Sequence, residues 1–415
     1  MSSVKELAAM AKEASVFLRT VPTEKKNTAL NAIADALVSE TDRIVSANSD
    51  DIKTAEANGM SISMLDRLRL SAERIKGIAD SIRYITELDD PVGRVLNRHT
   101  RPNGMTITKT AVPMGVIGII YEARPNVTAD AAALCLKAGS AVVLRGGKEA
   151  INSNKAIVTV MREAITAAGF PADCICLVSD TSRSSADEMM RLHGLIDLLI
   201  PRGGAGLIKA VVENSTVPVI ETGVGNCHIY VDSEADVSMA AQLVFNAKCS
   251  RPSVCNACET LLVHKDIADK ALPAIKQLLD QKQTRIHGCE DTRRILGTDV
   301  VPVTEDDYKT EFLDFALAVR VVADFDQAIG HIMQYSSGHS ECIVTDNNST
   351  AERFLSCIDA AAVYHNASTR FTDGGEFGLG AEIGISTQKL HARGPMGLEE
   401  LTSYKYIIRG NGQTR

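Results

Sequence analysis

The feature that most constrains the fold is an alternation of short apolar runs with helical stretches from Val112 onward. Strands that alternate with crossover helices form a parallel sheet with helices on both faces. The sequence therefore predicts a doubly wound α/β architecture. The first set of predicted strands comprises Gly115 to Tyr121, Ala141 to Arg145, Cys174 to Ser179, Leu195 to Pro201, Val217 to Glu221 and His228 to Val231.

The same alternation resumes after Cys255 and predicts a second α/β domain. Its predicted strands are Thr260 to Val263, Ala316 to Val322, Glu341 to Thr345 and Ala361 to Tyr364. We expect a first domain of residues 1–225, a second of residues 226–370 and a return segment of residues 371–415. The return segment contains a further predicted strand, Ser403 to Arg409.

Two segments of the first domain depart from this alternation. From Val4 to Glu87 the apolar residues recur at helical spacing, which predicts helices that pack on a larger body. Between Arg94 and Val112 the apolar period changes to two, and Asn103-Gly104 suits a tight turn that needs positive φ. We therefore expect residues 98–111 to form a β-hairpin arm.

Composition narrows the class of protein. A net charge of −8 disfavours nucleic acid or an anionic membrane as the main partner, and no apolar run approaches the roughly 20 residues of a membrane span. Ten cysteines without a recognisable secretory leader indicate a reducing compartment. We expect a cytoplasmic protein.

Cys255 is the first candidate for a catalytic group. It lies in a turn rich in Pro, Ser and Asn beside the cationic Arg251, a setting that can hold a thiolate for acyl transfer. Cys255 and Cys258 also form a C-x-x-C, so a thioredoxin-like redox pair is an alternative. A zinc site would need two further ligands, and Cys174 with Cys176 has the wrong spacing, so no metal is expected. Cys258 suits a buried strand position.

Two glycine-containing loops are candidates for holding a cofactor. Gly203-Gly204 opens a helix after a strand, where backbone N–H groups can bind a pyrophosphate, although the third glycine of the dinucleotide fingerprint is missing. A plain tight connection explains the loop equally well. Arg145 and Lys148 flank Gly146-Gly147 and suit a 2′-phosphate, which favours NADPH over NADH. Solvated surface cations are the alternative.

Four segments carry a resemblance to a known family. They are Gly115 to Thr128, Glu221 to His228, Arg251 to Asn256 and Gly394 to Thr402. Together they resemble the γ-glutamyl phosphate reductase family of the aldehyde dehydrogenase superfamily. The resemblance implies an aldehyde dehydrogenase-like fold, with two doubly wound parallel-sheet domains and a small β-hairpin oligomerisation arm. It also implies NADPH-dependent reduction of L-glutamyl 5-phosphate to L-glutamate 5-semialdehyde in proline biosynthesis, through a thioester of Cys255.

The resemblance also suggests roles for individual residues. The superfamily's oxyanion asparagine is replaced in Ala123-Arg124-Pro125, which leaves Asn126 as the nearest oxyanion donor, and Pro252-Ser253 replaces the usual Gly-Gln. Glu221 and Glu311 are expected beside the cofactor, Glu311 at the nicotinamide ribose. The residues expected to bind the substrate's phosphate and α-carboxylate are Arg124, Arg251, Ser368 and Arg370.

The sequence is compatible with other functions and with several partners. A hydrolytic NAD(P)-dependent aldehyde dehydrogenase would use Glu221 as its base, and a non-catalytic scaffold would retain only the fold. The partners expected are a small acyl phosphate substrate, a second copy or three further copies of the chain, and the glutamate kinase that precedes this reaction. The hairpin and the terminal strand are expected to build the subunit interface, because the free edge of a two-stranded ribbon invites pairing.

Overall fold

A computed structural model describes residues 3–415, apart from the side chains of residues 62–63; Met1 and Ser2 lie outside the described residues. The chain divides into two compact units. The first unit comprises Met1–Thr222, Gly378–Gly384 and Met396–Arg415, and the second comprises Gly223–Phe377 and Ile385–Pro395.

The first unit begins with five helices. The first is fixed at its start by a capping box, in which the Ser3 hydroxyl accepts a hydrogen bond from the backbone N–H of Glu6 and the Glu6 carboxylate accepts one from Ser3. In the fifth helix, Ala72–Glu87, the isoleucines at helical spacing are buried as predicted, because they form one face of the helix. The helices are α1 (Val4–Leu18), α2 (Thr23–Ser39), α3 (Thr41–Ala57), α4 (Ile62–Leu68) and α5 (Ala72–Glu87).

A parallel sheet follows in the same unit. Its strands are β3 (Val116–Tyr121), β4 (Ala141–Arg145), β5 (Ile175–Leu177) and β6 (Leu198–Arg202), in the order β5-β4-β3-β6, after the hairpin strands β1 (Val95–Thr100) and β2 (Thr106–Pro113). The helices among them are α6 (Pro125–Lys137), α7 (Ile151–Ala167), α8 (Arg183–Met190) and α9 (Ala205–Asn214). The predicted strand Val217 to Glu221 forms only an isolated parallel bridge, between Val219 and Leu199.

The second unit contains a seven-stranded parallel sheet in the order β10-β9-β11-β8-β7-β12-β13. The strand predicted from His228 belongs to this sheet, because it pairs on both sides with strands of the second unit. The strands are β7 (Cys227–Val231), β8 (Cys258–His264), β9 (Arg285–Gly288), β10 (Val301–Pro302), β11 (Ala316–Val322), β12 (Ser340–Val344) and β13 (Ala362–His365).

Helices and one small ribbon complete the second unit. Buried apolar residues of the sheet pack against the helices Val237–Cys249 and Lys265–Leu279. The helices are α10 (Val237–Cys249), α11 (Lys265–Leu279), α12 (Glu290–Leu296), α13 (Phe325–Tyr335) and α14 (Asn348–Cys357). The ribbon pairs β14 (Ile385–Ser386) with β15 (Gly394–Pro395).

The hairpin and the terminal strand form one antiparallel sheet. Strand β2 lies between β1 and β16 (Thr402–Arg409), and its pairing with β16 runs from Thr402 opposite Pro113 to Arg409 opposite Thr106. The turn before β2 uses Gly104 at φ +87°, a conformation that favours glycine. The two parallel sheets and this small sheet confirm the predicted fold class.

Candidate active site

Cys255 lies on the turn that joins α10 to β8 in the second unit. The helix ends at Cys249, the chain turns through residues 250–257, and the strand begins at Cys258. Cys255 is half-buried, whereas Cys258 is fully buried and points its Sγ at the carbonyl of Thr260, 3.3 Å away. Burial raises the pKa of the Cys258 thiol, so Cys258 is a poor nucleophile at neutral pH.

The Gly225 side of the turn holds the backbone of Cys255. The Cys227 thiol donates to the Cys255 carbonyl oxygen at 3.2 Å, and a Cβ at Gly225 would lie 1.6 Å from that same oxygen. The Gly225 N–H donates to Glu311 Oε1 at 2.9 Å. The glycine is therefore required for close approach, and Glu311 holds the segment that contacts Cys255.

Arg370 lies on the other side of the turn. Its Nε donates to Ser250 Oγ at 3.2 Å, its Nη1 donates to Asn256 Oδ1, and its guanidinium interacts electrostatically with Cys255. Burial, followed by the charge of Arg251, lowers the pKa of Arg370, yet a guanidinium remains protonated at neutral pH. The structure thus brings one expected substrate-binding cation to the Cys255 turn.

The other two expected substrate-binding residues of this unit lie on the same two segments. Arg251 is exposed and lies in the Cys255 turn. Ser368 is buried, and its hydroxyl accepts from the Arg370 N–H at 3.3 Å, which fixes the short helical turn 369–371. Ser368 therefore shapes the segment that carries Arg370.

A buried ion pair lies beneath this region. Lys248 Nζ and Glu259 Oε2 are 2.6 Å apart, and both side chains are fully buried. Glu259 also accepts from the N–H of Leu313, at 3.5 Å, two residues beyond Glu311. Burial raises the pKa of Glu259 to about 7. The pair joins α10, β8 and the Glu311 loop. The sequence alone does not reveal it, because nothing marks a lysine and a glutamate eleven residues apart as partners.

The parallel sheet of the first unit has a topological switch point, the place where sheets of this kind bind nucleotides. Strand order reverses at β3, since β4 and β5 lie on one side and β6 on the other, and ligands of such sheets bind at the carboxyl ends beside this point. There the Gly204 N–H donates to Glu122 Oε2 at 2.9 Å, and a Cβ at Gly203 would lie 2.6 Å from Glu122 Cδ. The turn therefore already holds an anionic oxygen at the start of α9, which fits a pyrophosphate.

The two expected 2′-phosphate ligands follow β4. Arg145 Nη2 donates to the carbonyls of Thr181 and Ser182, each at 2.8 Å, and burial lowers the pKa of Arg145. Lys148 is exposed at the start of a short helical turn. Arg145 is anchored at the start of α8, and Lys148 faces solvent at the same edge of the sheet.

Three further predicted residues also lie in the first unit. Arg124 precedes α6, and the exposed Asn126 lies in its first turn, where its Nδ2 donates to Asp130 Oδ2 at 3.2 Å. Burial raises the pKa of Asp130 to about 6. Glu221 is half-buried and follows the bridge at Val219.

Residues 3–415 contain neither a metal-binding cluster nor a membrane-spanning helix. No group of three or more His, Cys, Asp and Glu side chains in this range could hold a metal ion. Over the same residues, no helix is both long and apolar enough to cross a membrane.

The chain is similar to known proteins of one family. The family model described as the aldehyde dehydrogenase family matches residues 1–315. The chain is 58% identical over 415 residues to a γ-glutamyl phosphate reductase of Carboxydothermus hydrogenoformans and 57% identical over 415 residues to one of Desulforamulus reducens, with complete coverage of each chain. A solved γ-glutamyl phosphate reductase from Thermotoga maritima is 50% identical, with complete coverage of both chains and a TM-score of 0.98.

Proposed function

The chain belongs to the aldehyde dehydrogenase family, and we propose that it reduces γ-glutamyl phosphate to glutamate 5-semialdehyde, a step of proline biosynthesis. Full-length relatives at 57–58% identity bear the name of this activity. The observation that carries the proposal is the half-buried thiol of Cys255, on a turn held between Gly225 and Arg370. A half-buried thiol in this setting supports covalent catalysis on an acyl group.

The chemistry begins with the thiolate of Cys255. Its sulfur attacks the carbonyl carbon of the acyl phosphate and forms a C–S bond. The bond between that carbon and the bridging oxygen breaks, and inorganic phosphate leaves with the electron pair. A nicotinamide cofactor, when bound, would supply the hydride that reduces the resulting thioester to a thiohemiacetal. Release of the aldehyde then returns the thiolate to Cys255, which Arg370 stabilises by its charge.

We propose NADPH as the cofactor. Family membership supports a nicotinamide dinucleotide, and the Gly203–Gly204 turn already binds an anionic oxygen. Arg145 and Lys148 provide two positive charges at the end of β4, which β3 separates from β6 and this turn, and they would bind the 2′-phosphate. Glu221 and Glu311 retain their proposed places near the cofactor.

The substrate carries negative charge at its phosphate and its α-carboxylate. Arg370 and Arg251, on the segments around Cys255, are the proposed partners of these groups in the second unit, with Ser368 as a supporting hydroxyl. Arg124 is proposed as a further cation and Asn126 as an oxyanion donor. A guanidinium suits phosphate and carboxylate because it can donate two parallel hydrogen bonds.

The test is the reverse reaction. NADP+ reduction by glutamate 5-semialdehyde is measured with and without inorganic phosphate, and we expect phosphate to be required because it must attack the thioester. Turnover without phosphate, with glutamate as the product, would instead establish the hydrolytic aldehyde dehydrogenase with Glu221 as base. A glutamate assay on the same samples separates the two products.

We also propose that the protein is a cytoplasmic homodimer or tetramer that associates with the glutamate kinase supplying its substrate. The antiparallel sheet supports self-association, because β16 exposes Tyr404, Tyr406 and Ile408 at alternate positions on one face. A row of large apolar side chains on a strand at the edge of a sheet favours pairing with another chain.

A further inference from the structure

Asn256 follows the nucleophile directly and is only 4% exposed. Its side chain makes all its hydrogen bonds to one distant segment. Nδ2 donates to the carbonyls of Arg370, at 3.2 Å, and Thr372, at 2.9 Å, while Oδ1 accepts from Arg370 Nη1. The Asn256 carbonyl also accepts from Thr369 Oγ1 at 2.7 Å. Both the Nδ2 donor and the Oδ1 acceptor of the amide therefore hold residues 369–372.

The held segment is rigid on its far side as well. Thr372 Oγ1 lies 2.6 Å from Ser340 Oγ and 2.6 Å from the hydroxyl of Tyr364, both on strands of the seven-stranded sheet. Thr369 and Thr372 are fully buried. The segment that carries Arg370 is thus fixed between the sheet and Asn256, and its position follows from these buried bonds.

The consequence concerns the charge beside the thiol. Ser250 and Asn256, which bracket the Cys255 turn, each bind the Arg370 side chain. A fixed positive charge near a sulfur favours its thiolate form, and a misplaced or mobile charge favours it less. An aspartate at residue 256 would retain the acceptor, lose both donors and add a competing negative charge.

We propose that Asn256 is a positioning residue whose amide holds the Arg370 guanidinium beside Cys255, so that the thiolate forms at neutral pH. The inference rests on the proposed function in taking Cys255 as the nucleophile. Asn256 itself touches neither substrate nor cofactor in this proposal; it acts through Arg370.

The experiment measures the pH dependence of alkylation of Cys255 by iodoacetamide, followed peptide by peptide by mass spectrometry in the full-length protein without substrate. Cys357, which is exposed, is the internal reference in every sample. We expect Asn256→Ala and the isosteric Asn256→Asp to slow alkylation of Cys255 at pH 7 by about tenfold or more, since one pKa unit is a tenfold change in thiolate. Arg370→Ala should do the same.

Asn48→Ala is the matched control. Asn48 is 2% exposed and also makes three side-chain hydrogen bonds, to the Leu68 carbonyl at 2.8 Å, Ser153 Oγ at 3.0 Å and the Leu70 N–H at 2.8 Å, but it lies in the first unit. It should lower the melting temperature and leave the alkylation profile of Cys255 unchanged. A merely structural role for Asn256 would give that same pattern in Asn256→Ala.

Alkylation profiles test this proposal, and phosphate-dependent turnover tests the proposed function, so the two can fail separately. A shifted alkylation profile in the Asn256 variants supports the positioning role even if glutamyl phosphate is not the substrate. Profiles of both Asn256 variants that superimpose on the wild type overturn it, even if phosphate-dependent turnover is established. If Asn256→Ala does not fold, Asn256→Ser, which removes the amide without adding a charge, decides the question.

Discussion

Gly225 approaches Cys255 so closely that no side chain fits between them. A Cβ at residue 225 would lie 1.6 Å from the Cys255 carbonyl oxygen and 2.4 Å from its Cα, and these are backbone atoms that cannot rotate away. We predict that Gly225→Ala displaces the Cys255 turn and lowers kcat by about a hundredfold or more, since small misplacements of reacting groups are costly.

The control for this change is Gly330→Ala in α13. A Cβ at Gly330 meets nothing within 4 Å, so alanine should preserve activity and raise stability by up to about 1 kcal/mol, as expected in a helix interior. Steady-state kinetics and thermal melts of both variants check the prediction. Near-normal turnover in Gly225→Ala would mean that the turn can move without loss of function.

Replacement of Cys255 by Ala or Ser should abolish turnover while folding and NADPH binding persist, because a serine hydroxyl is far less ionised than a thiol at neutral pH. Cys258→Ala is the control. The Cys258 side chain is fully buried, and its replacement by alanine should lower the free energy of unfolding by only about 1 kcal/mol. Inactivation of Cys258→Ala with intact folding would revive the redox-pair alternative, and activity within a few-fold of wild type in Cys255→Ser would exclude the nucleophile role.

Neutralisation of Arg145 and Lys148 should raise KM for NADPH much more than KM for NADH. Charge-assisted hydrogen bonds contribute about 1.5–3 kcal/mol each, so the preference should shift by more than tenfold. Lys148→Ala is tested first, because Arg145 also anchors the carbonyls of Thr181 and Ser182. Lys155→Ala, an exposed cation of α7, is the control. An equal rise for both cofactors would remove the 2′-phosphate assignment.

Acid should destabilise the second unit through two buried histidines. Burial lowers the pKa of His331 to about 3 and that of His339 to about 4. Above about pH 6.5 both are neutral in the folded and unfolded states, whereas below it the unfolded chain gains protons that the folded protein excludes. The contribution of the two neutral histidines to the free energy of unfolding is therefore fully present above about pH 6.5. It is lost as the pH falls towards 4, by about 3 kcal/mol for His339 alone.

His339→Asn should reduce this pH dependence. The measurement is the free energy of unfolding by urea between pH 7 and pH 4, and the variant should lose less stability than the wild type over that range. His99→Asn, which changes an exposed histidine of β1, is the control and should follow the wild-type curve. Parallel curves for His339→Asn and the wild type would contradict the prediction.

Charges introduced on β16 should dissociate the proposed assembly. Tyr406 is 56% exposed and Ile408 is 58% exposed, so Tyr406→Glu with Ile408→Lys should be tolerated by the fold but not by an apolar interface. Sedimentation velocity should show monomers. Met333→Lys, at an apolar residue that is 74% exposed in the second unit, should leave the assembly intact. An unchanged sedimentation coefficient in the double variant would show that this face is a free surface.

The sequence predicted the local parts of the fold with good accuracy. The predicted strand Ala141 to Arg145 matches β4, and the predicted strand Ala316 to Val322 matches β11. The hairpin around Gly104 is also present. These features depend on residue types within a few positions, such as apolar runs and a glycine at positive φ, so a single sequence contains them. The predicted strand Val217 to Glu221 was wrong. Its apolar run resembles that of a true strand, but it forms only one bridge to a neighbouring strand.

What the sequence by itself determined is the pair of parallel α/β sheets, the hairpin and the identity of Cys255 as the candidate nucleophile. Only the tertiary structure decided what surrounds that thiol. Asn256 binds Arg370 at a separation of 114 residues, and Glu122 accepts from Gly204 at a separation of 82 residues. The physical reason is that periodicity fixes which face of an element is buried, whereas a hydrogen bond between distant side chains exists only once packing has brought their backbones together.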